Sequence, residues 1–572
     1  MKTILMLWIS TLLFGSISWA QSREVHAEAQ PARVQGRLEG VTTLRDLANA
    51  VPPTNGFSKT SDEKDDDDFA VSQTERLLLQ RDAQQQIAVL ALPQTATPLA
   101  ALAGTIAPAQ TFLPPNTIDE GKCGSFVVPD GALAASPTYV VEVSNSCLKV
   151  LNPSTGGVIS GPTTLGTFFG STGWATRDAR ALYDPANARF IVSAIDQSKN
   201  LILVAVSQSS NPTLGWNKYS FSAAGTCNPG NGDFPTLGQT LQEPGDAKGA
   251  IYLAWNIGCP GFGLQAFVGA VSKTLAYSGA AINSINGFQA LSAGGVRVDS
   301  VQPVNVMNPG DHPRGEFLVN SFDQNSGGGF CAKGCNGVVV WNFYNGIPAS
   351  GGAQSLTAVV VPTTNTYYLP VNAPEPGCAV NTCGPNAGPP IISGQVSYSA
   401  GSIFAALNDS MGILVLELEP FLSDSGVITG ARKRNEMCFA CGGFSNGGSA
   451  YYGTIQPDSE RNFVMVYSYS APGTAGCTPN ATNCIYPSAA YISRRVTQTQ
   501  NTFSDQGIIF NLGSAYYHQL NPQGVNRWGD YSAAAPVYGT PNSFWIEGEY
   551  SESNGTWGKA VGQTAFTSPT GP

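Results

Sequence analysis

From about residue 123 onward, short runs of β-branched and aromatic residues alternate with clusters of Gly, Pro, Asn and Ser. Most runs have the length of a β-strand and are too short for a helix. The clearest runs are 138–143, 190–195, 201–206, 251–255, 337–343, 403–407, 412–418 and 463–467. The pattern therefore predicts an all-β structure of many short strands joined by tight turns.

A strand-turn-strand unit recurs along the same stretch. It is clearest at 178–194, 233–255, 451–467 and 530–547, looser at 298–322 and 391–407, and partial at 138–156. About seven units over roughly 440 residues leave about 60 residues for each, slightly more than a four-stranded propeller blade needs. Insertions that carry the cysteines explain the uneven spacing. We expect a β-propeller of about seven blades, within a range of six to eight, over residues 123–572.

The N-terminal 122 residues have a different character. Lys2, the uncharged apolar stretch 4–17 and the small residues Ser18 and Ala20 predict a signal peptide over residues 1–20. The apolar stretch is shorter than the ~20 residues that cross a bilayer. We therefore expect a secreted or periplasmic protein with no membrane span.

Residues 21–122 are charged and proline-rich, with an acidic run at 62–68. Such runs repel themselves and are usually solvated, which predicts a mostly disordered pro-region or spacer. A capping box at 72–75, followed by regularly spaced leucines, predicts one short helix near 74–92. The sequence does not decide whether residues 21–122 are removed.

Composition narrows the class of protein further. Charged residues make up only 12%, while Gly is 64 and Pro is 39 of 572 residues, which disfavours a helical bundle or coiled coil. The formal net charge of −10 disfavours a nucleic-acid partner. A monomer is expected.

Twelve cysteines fall in neighbouring pairs, and an even set in an exported chain favours disulfides. The expected pairs are Cys123 with Cys147, Cys227 with Cys259, Cys331 with Cys335, Cys378 with Cys383, Cys438 with Cys441, and Cys477 with Cys484. One alternative is a four-thiolate zinc site that combines the third and fifth pairs. Another is a redox-active Cys438-x-x-Cys441 motif. No metal site is predicted.

The segments YDPANARFIVSAI, ILVAVSQSSNPTLGWNKYSF, GDFPTLG, RWGDYSA and FWIEGEY carry a family resemblance. Together they resemble secreted bacterial β-propeller proteins, loosely related to the sialidase-like superfamily. Residues 207–216 resemble the strand-turn element of those propellers, although the usual Asp is absent and the spacing is stretched. The resemblance implies the fold and says little about function, because propellers host many activities.

Polar residues precede the first strand of several repeats, at Asp178, Asp233, Tyr451 and Asp530. If the repeats superpose, these residues meet at one end of the central channel. The candidate ligand-binding residues are Asp178, Arg180, Asp233, Arg527, Trp528 and Asp530. Carboxylates, arginines and aromatic rings together suit a sugar. The structural alternative is that each Asp caps the turn of its own repeat.

Nothing in the sequence identifies a reaction. The chain has only three histidines, and it lacks nucleophile-elbow, zinc-protease, P-loop and EF-hand motifs. No cofactor is predicted, and an irregular calcium site stays open. Two functions follow: an exported propeller that binds a glycan or cell-surface protein, or a carbohydrate-active hydrolase or lyase, such as a sialidase-like glycosidase, that uses carboxylates on the same face. No catalytic residue is assigned.

Overall fold

The computed structural model describes residues 22–47, 110–112, 128–145, 147–171, 176–323, 331, 334–379, 382–389, 391–392, 394–503, 507–520 and 524–566. The expected signal peptide, the acidic run and the helix expected near 74–92 lie outside these residues. Within this part of the chain the structure is all-β, as predicted. Its helices are short: α1 (Leu44–Leu47), α2 (Leu165–Phe169) and α3 (Lys273–Ser278).

Three strands come before the main body: β1 (Arg23–Val25), β2 (Ala27–Thr43) and β3 (Gln110–Phe112). Consecutive strands then form antiparallel groups. The first group has β4 (Ala132–Ala135), β5 (Val140–Val143), β6 (Cys147–Leu151) and β7 (Val158–Thr164). The second has β8 (Thr176–Asp184), β9 (Arg189–Asp196), β10 (Leu201–Ser207) and β11 (Gly215–Ser222). The third has β12 (Asn231–Gln239), β13 (Ala250–Cys259), β14 (Gly263–Ser272) and β15 (Ser284–Ala293), and the short β16 (Val296–Arg297) follows it.

The remaining groups repeat this plan. The fourth has β17 (Gln302–Val306), β18 (Glu316–Phe322), β19 (Cys335–Tyr344) and β20 (Ser355–Tyr367). The fifth has β21 (Val396–Ser399), β22 (Ser402–Asp409), β23 (Gly412–Leu422) and β24 (Ile428–Phe439). The sixth has β25 (Ser449–Pro457), β26 (Phe463–Ser470), β27 (Tyr486–Arg494) and β28 (Ile508–Gly513). The seventh has β29 (Ala533–Pro536), β30 (Ser543–Ser551) and β31 (Trp557–Ala565), and β3 pairs with β31 as its fourth strand.

The first strands of the groups lie beside one another in cyclic order. Each of β4, β8, β12, β17, β21, β25 and β29 contacts the next, and β29 contacts β4. Where these strands pair directly they run parallel, as β17 does with β12 and with β21. A cavity lined by residues of β4, β8 and β29 lies between them. We call the end of this cavity at which the first strands begin the channel mouth.

The core lies between neighbouring groups, which explains why many strands are hydrophobic throughout. In β26, for example, every residue is buried, since sheets pack against both of its faces. Between the first and second groups, the rings of Phe168 and Trp216 meet edge to face at 5.3 Å. Runs of four to ten apolar residues are therefore strands with two covered faces rather than helices.

Residues 22–47, which we call the N-terminal strap, cross the outer edges of three groups. Strand β1 pairs with β20, and β2 pairs first with β15 and then with β11. The expectation of a mostly disordered N-terminal region is wrong for these residues. Val34 faces the core while Arg33 and Gln35 are exposed, so a period-two pattern was present in the sequence. The charged side chains are the solvent-facing half of that pattern.

The first group begins one strand earlier than the partial repeat at 138–156 suggested. Its first strand is β4, which pairs with β5. This strand is only four residues long and consists of Ala and Leu, so it lacks the β-branched residues that marked the other strands.

Disulfides join five of the expected cysteine pairs. They are Cys227 with Cys259, Cys331 with Cys335, Cys378 with Cys383, Cys438 with Cys441, and Cys477 with Cys484. The alternative of a four-thiolate zinc site is contradicted, because all four of its sulfur atoms are in disulfides. Cys147 is also disulfide-bonded, and its expected partner Cys123 lies outside the described residues.

Among the described residues, every helix is too short to cross a bilayer.

Candidate ligand site at the channel mouth

Three segments that are distant in sequence bring carboxylates together at the channel mouth. Asp130 precedes β4, Asp178 lies near the start of β8, and Asp530 precedes β29. The backbone N–H of Asp530 donates to Oδ1 of Asp130 at 2.6 Å. A guanidinium nitrogen of Arg527 lies 3.4 Å from Oδ2 of Asp530. The roles of Asp178, Asp530 and Arg527 as ligand contacts stay predictions.

Asp130 is the buried member of this cluster. Its side chain is nearly inaccessible, and Nδ2 of Asn145 donates to its Oδ2 at 2.7 Å. Burial, followed by the nearby charges of Asp530 and Asp178, raises the pKa of Asp130 well above its usual value. Because both of its oxygens already accept hydrogen bonds from protein groups, Asp130 positions the loop of Asp530 and does not face a ligand.

Asp178 and Asp530 are more accessible than Asp130, and the backbone N–H of each is capped by a side chain of another segment. Asp178 has a left-handed backbone with φ of 54°, and its N–H donates to Oδ1 of Asn145 at 2.6 Å. The backbone N–H of Asp530 is capped by Asp130 in the same way. The caps of these two backbone N–H groups therefore come from other segments, and the role of the two carboxylates as ligand contacts stays a prediction.

The same capping arrangement recurs around the ring. Ser300 and Tyr452 also have positive φ, and their N–H groups donate to Oδ1 of Asn256 and Asn408 at 2.7 and 2.9 Å. In each of the three Asn cases, an Asn in or just after the second strand of one group fixes the start of the next group. This repeated hydrogen bond holds neighbouring groups together, and the candidate site lies beside it.

Asp233 behaves differently from the other two aspartates. Its Oδ1 accepts the N–H of Phe234 at 3.0 Å, and Phe234 has a φ of 48°. The structural alternative therefore describes Asp233, which caps its own turn. Its role as a ligand contact stays a prediction.

Arg180 joins three groups at the channel mouth. Its guanidinium carbon lies 3.4 Å from the centre of the Tyr531 ring and 5.7 Å from that of Phe234. Its Nε donates to the carbonyl of Pro235 at 3.3 Å. Such cation–π contacts contribute about 1–2 kcal/mol when they are shielded from water. Arg180 and Tyr531 therefore form a rigid floor beside the carboxylates.

Trp528 lies in the core beneath the site. Its indole N–H donates to Oγ of Ser468 at 2.9 Å, and the ring meets Tyr517 edge to face at 4.6 Å. The side chain is fully buried. Trp528 anchors the segment that carries Arg527 and Asp530, and its contact with a ligand stays a prediction.

Two long connections on the mouth side support Arg527: the first comes before β21 and the second before β29. Oε2 of Glu375 accepts the N–H of Tyr517 at 2.9 Å, and Asn526 donates to the carbonyl of Cys383 at 3.0 Å. The first connection is closed by the Cys378–Cys383 disulfide. These contacts tie the segment before β21 to the segment before β29.

Glu375 should make the protein less stable as the pH rises. Burial raises its pKa to about 8, whereas the unfolded chain releases this proton near pH 4.3. Between about pH 4.5 and 8 the folded state therefore binds more protons, so the free energy of unfolding falls with increasing pH. We expect Glu375→Gln to raise the melting temperature by a few degrees at pH 8.5 and to change it little at pH 4.5.

The measurement is thermal unfolding at both pH values, with Glu460→Gln as the exposed control. An equal effect of Glu375→Gln at the two pH values would show that Glu375 is ionised in the folded protein.

Sequence reasoning missed Asp130, Asn145 and the central place of Tyr531. A signal for Asp130 existed, because Asp130-Gly-Ala-Leu-Ala-Ala resembles Asp530-Tyr-Ser-Ala-Ala-Ala. For Asn145 the signal is the Asn that closes the second strand at 145, 256 and 408. Among the described residues, three candidate metal ligands come together only at Asp409, Cys438 and Cys441, and both cysteines are in a disulfide.

Comparisons with known proteins were made on sequence and on structure. No family model matches the chain, and no curated protein matches it. Several solved structures match over much of the chain, at low sequence identities and TM-scores.

A protein of unknown function from Dyadobacter fermentans is 10% identical, with 81% of this chain and 100% of that chain covered and a TM-score of 0.28. The GH93 α-L-arabinofuranosidase of Fusarium graminearum, solved with arabinobiose, is 9% identical, with 80% and 98% covered and a TM-score of 0.31. A subtype N11 neuraminidase-like protein from a flat-faced bat isolate is 8% identical, with 69% and 98% covered and a TM-score of 0.29. Similarities this low carry no argument about activity, so function must be argued from the site.

Proposed function

We propose that the seven groups are the blades of one closed β-propeller and that its channel mouth binds a glycan. The cyclic contacts of the first strands support the closed ring, and the strand β3 completes the seventh blade. Five disulfides among the described residues fit an exported protein, secreted or periplasmic. The observation that carries the binding site is the meeting of Asp178, Asp530 and Arg527 at one end of the channel.

The chemistry of the mouth favours a neutral, hydroxyl-rich ligand. Carboxylates of partly exposed Asp178 and Asp530 accept hydrogen bonds from hydroxyl groups, and such charge-assisted bonds are strong. Arg527 already pairs with Asp530, and Arg180 stacks on Tyr531, so neither guanidinium stands alone as a clamp for an acid. The net charge of −10 also repels polyanions. A neutral glycan satisfies these conditions.

Binding without turnover fits the site better than hydrolysis. Asp130 and Glu549 are two carboxyls near the mouth whose pKa is raised well above the usual value. Both oxygens of Asp130 are engaged within the protein, and Glu549 is buried beside Gly529. A hydrolase also needs a second carboxylate placed across the bond that is cleaved. Hydrolase or lyase activity on the same face is the alternative, and release of reducing ends from a bound glycan would establish it.

Asp530→Asn tests the proposed function with little change in volume. Because the backbone N–H of Asp530 keeps its bond to Asp130, we expect the melting temperature to change little. We expect affinity for the bound glycan to fall at least ~10-fold, or about 1.4 kcal/mol. The measurement is calorimetric titration with neutral oligosaccharides selected from a glycan array.

Asp424→Asn is the matched control. Asp424 is fully exposed on the turn after β23, at the end of the strands that lies away from the channel mouth. Equal affinities of Asp530→Asn and Asp424→Asn would contradict binding at the mouth. So would an array on which no neutral glycan binds.

A further inference from the structure

A second polar cleft lies on the third group, at the end of its strands that faces the same side as the channel mouth. Phe262, Arg297 and Ser292 line it from the third group and β16, and Glu28 and Gln30 line it from the N-terminal strap. Its volume of about 540 Å³ is in the range of small-ligand sites. The strand register shows on which side of the third group the cleft lies. Asp233, near the start of β12, pairs with Asn256 on β13. The chain then runs from Asn256 directly to the turn that carries Phe262.

Phe262 is held in an exposed position by its own turn. Its side chain is 69% exposed, the highest fraction among the large exposed hydrophobic residues described. Gly261 and Gly263, with φ of 79° and 73°, flank it in conformations that other residues rarely adopt. The carbonyl of Phe262 accepts Arg297 Nη1 at 2.7 Å, and the Cys227–Cys259 disulfide anchors the start of the turn. The backbone that carries the exposed ring is therefore held in place.

A β-bulge opens the cleft beside this ring. The pairing of β15 with β2 shifts between Gln289 and Ser292, and Ala290 has a φ of 56°. Bulges of this kind redirect side chains and are common next to binding sites. The cleft wall then presents exposed Glu28, Gln30 and Arg297, which supply both acceptors and donors.

We propose that this cleft is a distal subsite for an extended neutral glycan whose other end occupies the channel mouth. The proposal rests on the proposed function of the mouth. An aromatic face packs against the C–H face of a sugar ring, and polar neighbours take its hydroxyl groups. Three to four strand spacings separate β12 from β15 and β2, roughly 14–19 Å, so only an extended chain reaches both places. The N-terminal strap would then be part of the binding surface.

The test compares short and long ligands of the same sugar. Dextran, arabinan, galactan, mannan and xylan, each with its own disaccharide, are titrated against the unmodified protein, Phe262→Ala, Phe262→Tyr and Phe421→Ala. Phe421 is the matched control, because it is exposed near the end of β23, at the end of the strands that lies away from the channel mouth. We expect Phe262→Ala to weaken binding of the long chain at least ~5-fold and to leave the disaccharide unchanged, with Phe262→Tyr close to the unmodified protein.

The outcomes separate the two proposals. Equal loss of long-chain affinity in Phe262→Ala and Phe421→Ala, or a polysaccharide that binds no tighter than its disaccharide, overturns the distal subsite and leaves the mouth intact. Loss of long-chain binding in Phe262→Ala together with no effect of Asp530→Asn overturns the mouth as the primary site. If none of the neutral polysaccharides binds, both proposals fall.

Discussion

Replacing Lys559 by Met should cost about 3–5 kcal/mol of stability at pH 8.5. Lys559 on β31 pairs with Glu547 on β30, and both side chains are completely buried. Its Nζ also donates to the carbonyl of Val143 on β5 at 2.6 Å, which joins the last group to the first. Burial raises the pKa of Glu547 to about 8 even beside Lys559, so without the lysine the carboxyl must bind a proton or remain as a poorly compensated buried charge. Because this carboxyl can take up a proton, the loss should be smaller at pH 5.

Denaturant unfolding at the two pH values measures this effect. The double variant Lys559→Met with Glu547→Gln should recover much of the loss at pH 8.5, since it leaves no buried charge at that position. Lys199→Met is the matched surface control, because Lys199 is half exposed in its pair with Asp196, and it should cost less than about 1 kcal/mol. Equal losses for Lys559→Met and Lys199→Met would show that the seam between the last and first groups is not stabilised by this pair.

Val34→Asp should destabilise the protein by about 3–5 kcal/mol, whereas Gln35→Asp should change stability by less than about 0.5 kcal/mol. Val34 is 1% exposed and packs in the core shared by the second and third groups, while its neighbour Gln35 faces solvent. The two variants introduce the same charge at adjacent positions of β2. Their difference therefore measures how firmly the N-terminal strap is attached.

Thermal and denaturant unfolding of the two variants give the answer. If the strap is a removable pro-region with no part in the fold, Val34→Asp and Gln35→Asp will unfold alike. A large difference would mean that β2 is part of the folded core and cannot be removed without loss of stability.

The strands of the main body could be predicted because their periodicity is strong and local. Runs such as 463–467 became buried strands, and the five testable cysteine pairs joined as neighbours. The strap was missed because its burial depends on pairing with β11 and β15, which lie far away in sequence. Charged residues on its outer face gave it the composition of a solvated segment.

The candidate site was predictable only in part. The repeated pattern predicts that Asp178 and Asp530 lie where the first strands begin, because the repeats place equivalent residues at equivalent positions. It gave no information on which side chains are buried there. Trp528 is buried in the core, and Asp233 accepts a hydrogen bond within its own turn. Asp130 lies just before β4, a strand that the pattern did not reveal. These differences depend on packing between groups, which a local pattern does not contain.

A crystal structure with a bound oligosaccharide selected from the glycan array is the most direct test of glycan binding at the channel mouth. We expect sugar hydroxyl oxygens within about 3 Å of the carboxylates of Asp530 and Asp178. We also expect Asp130 to keep its bonds to Asn145 and to the backbone of Asp530, without touching the ligand. An oligosaccharide bound elsewhere on the molecule, with the mouth free of sugar, would contradict the account.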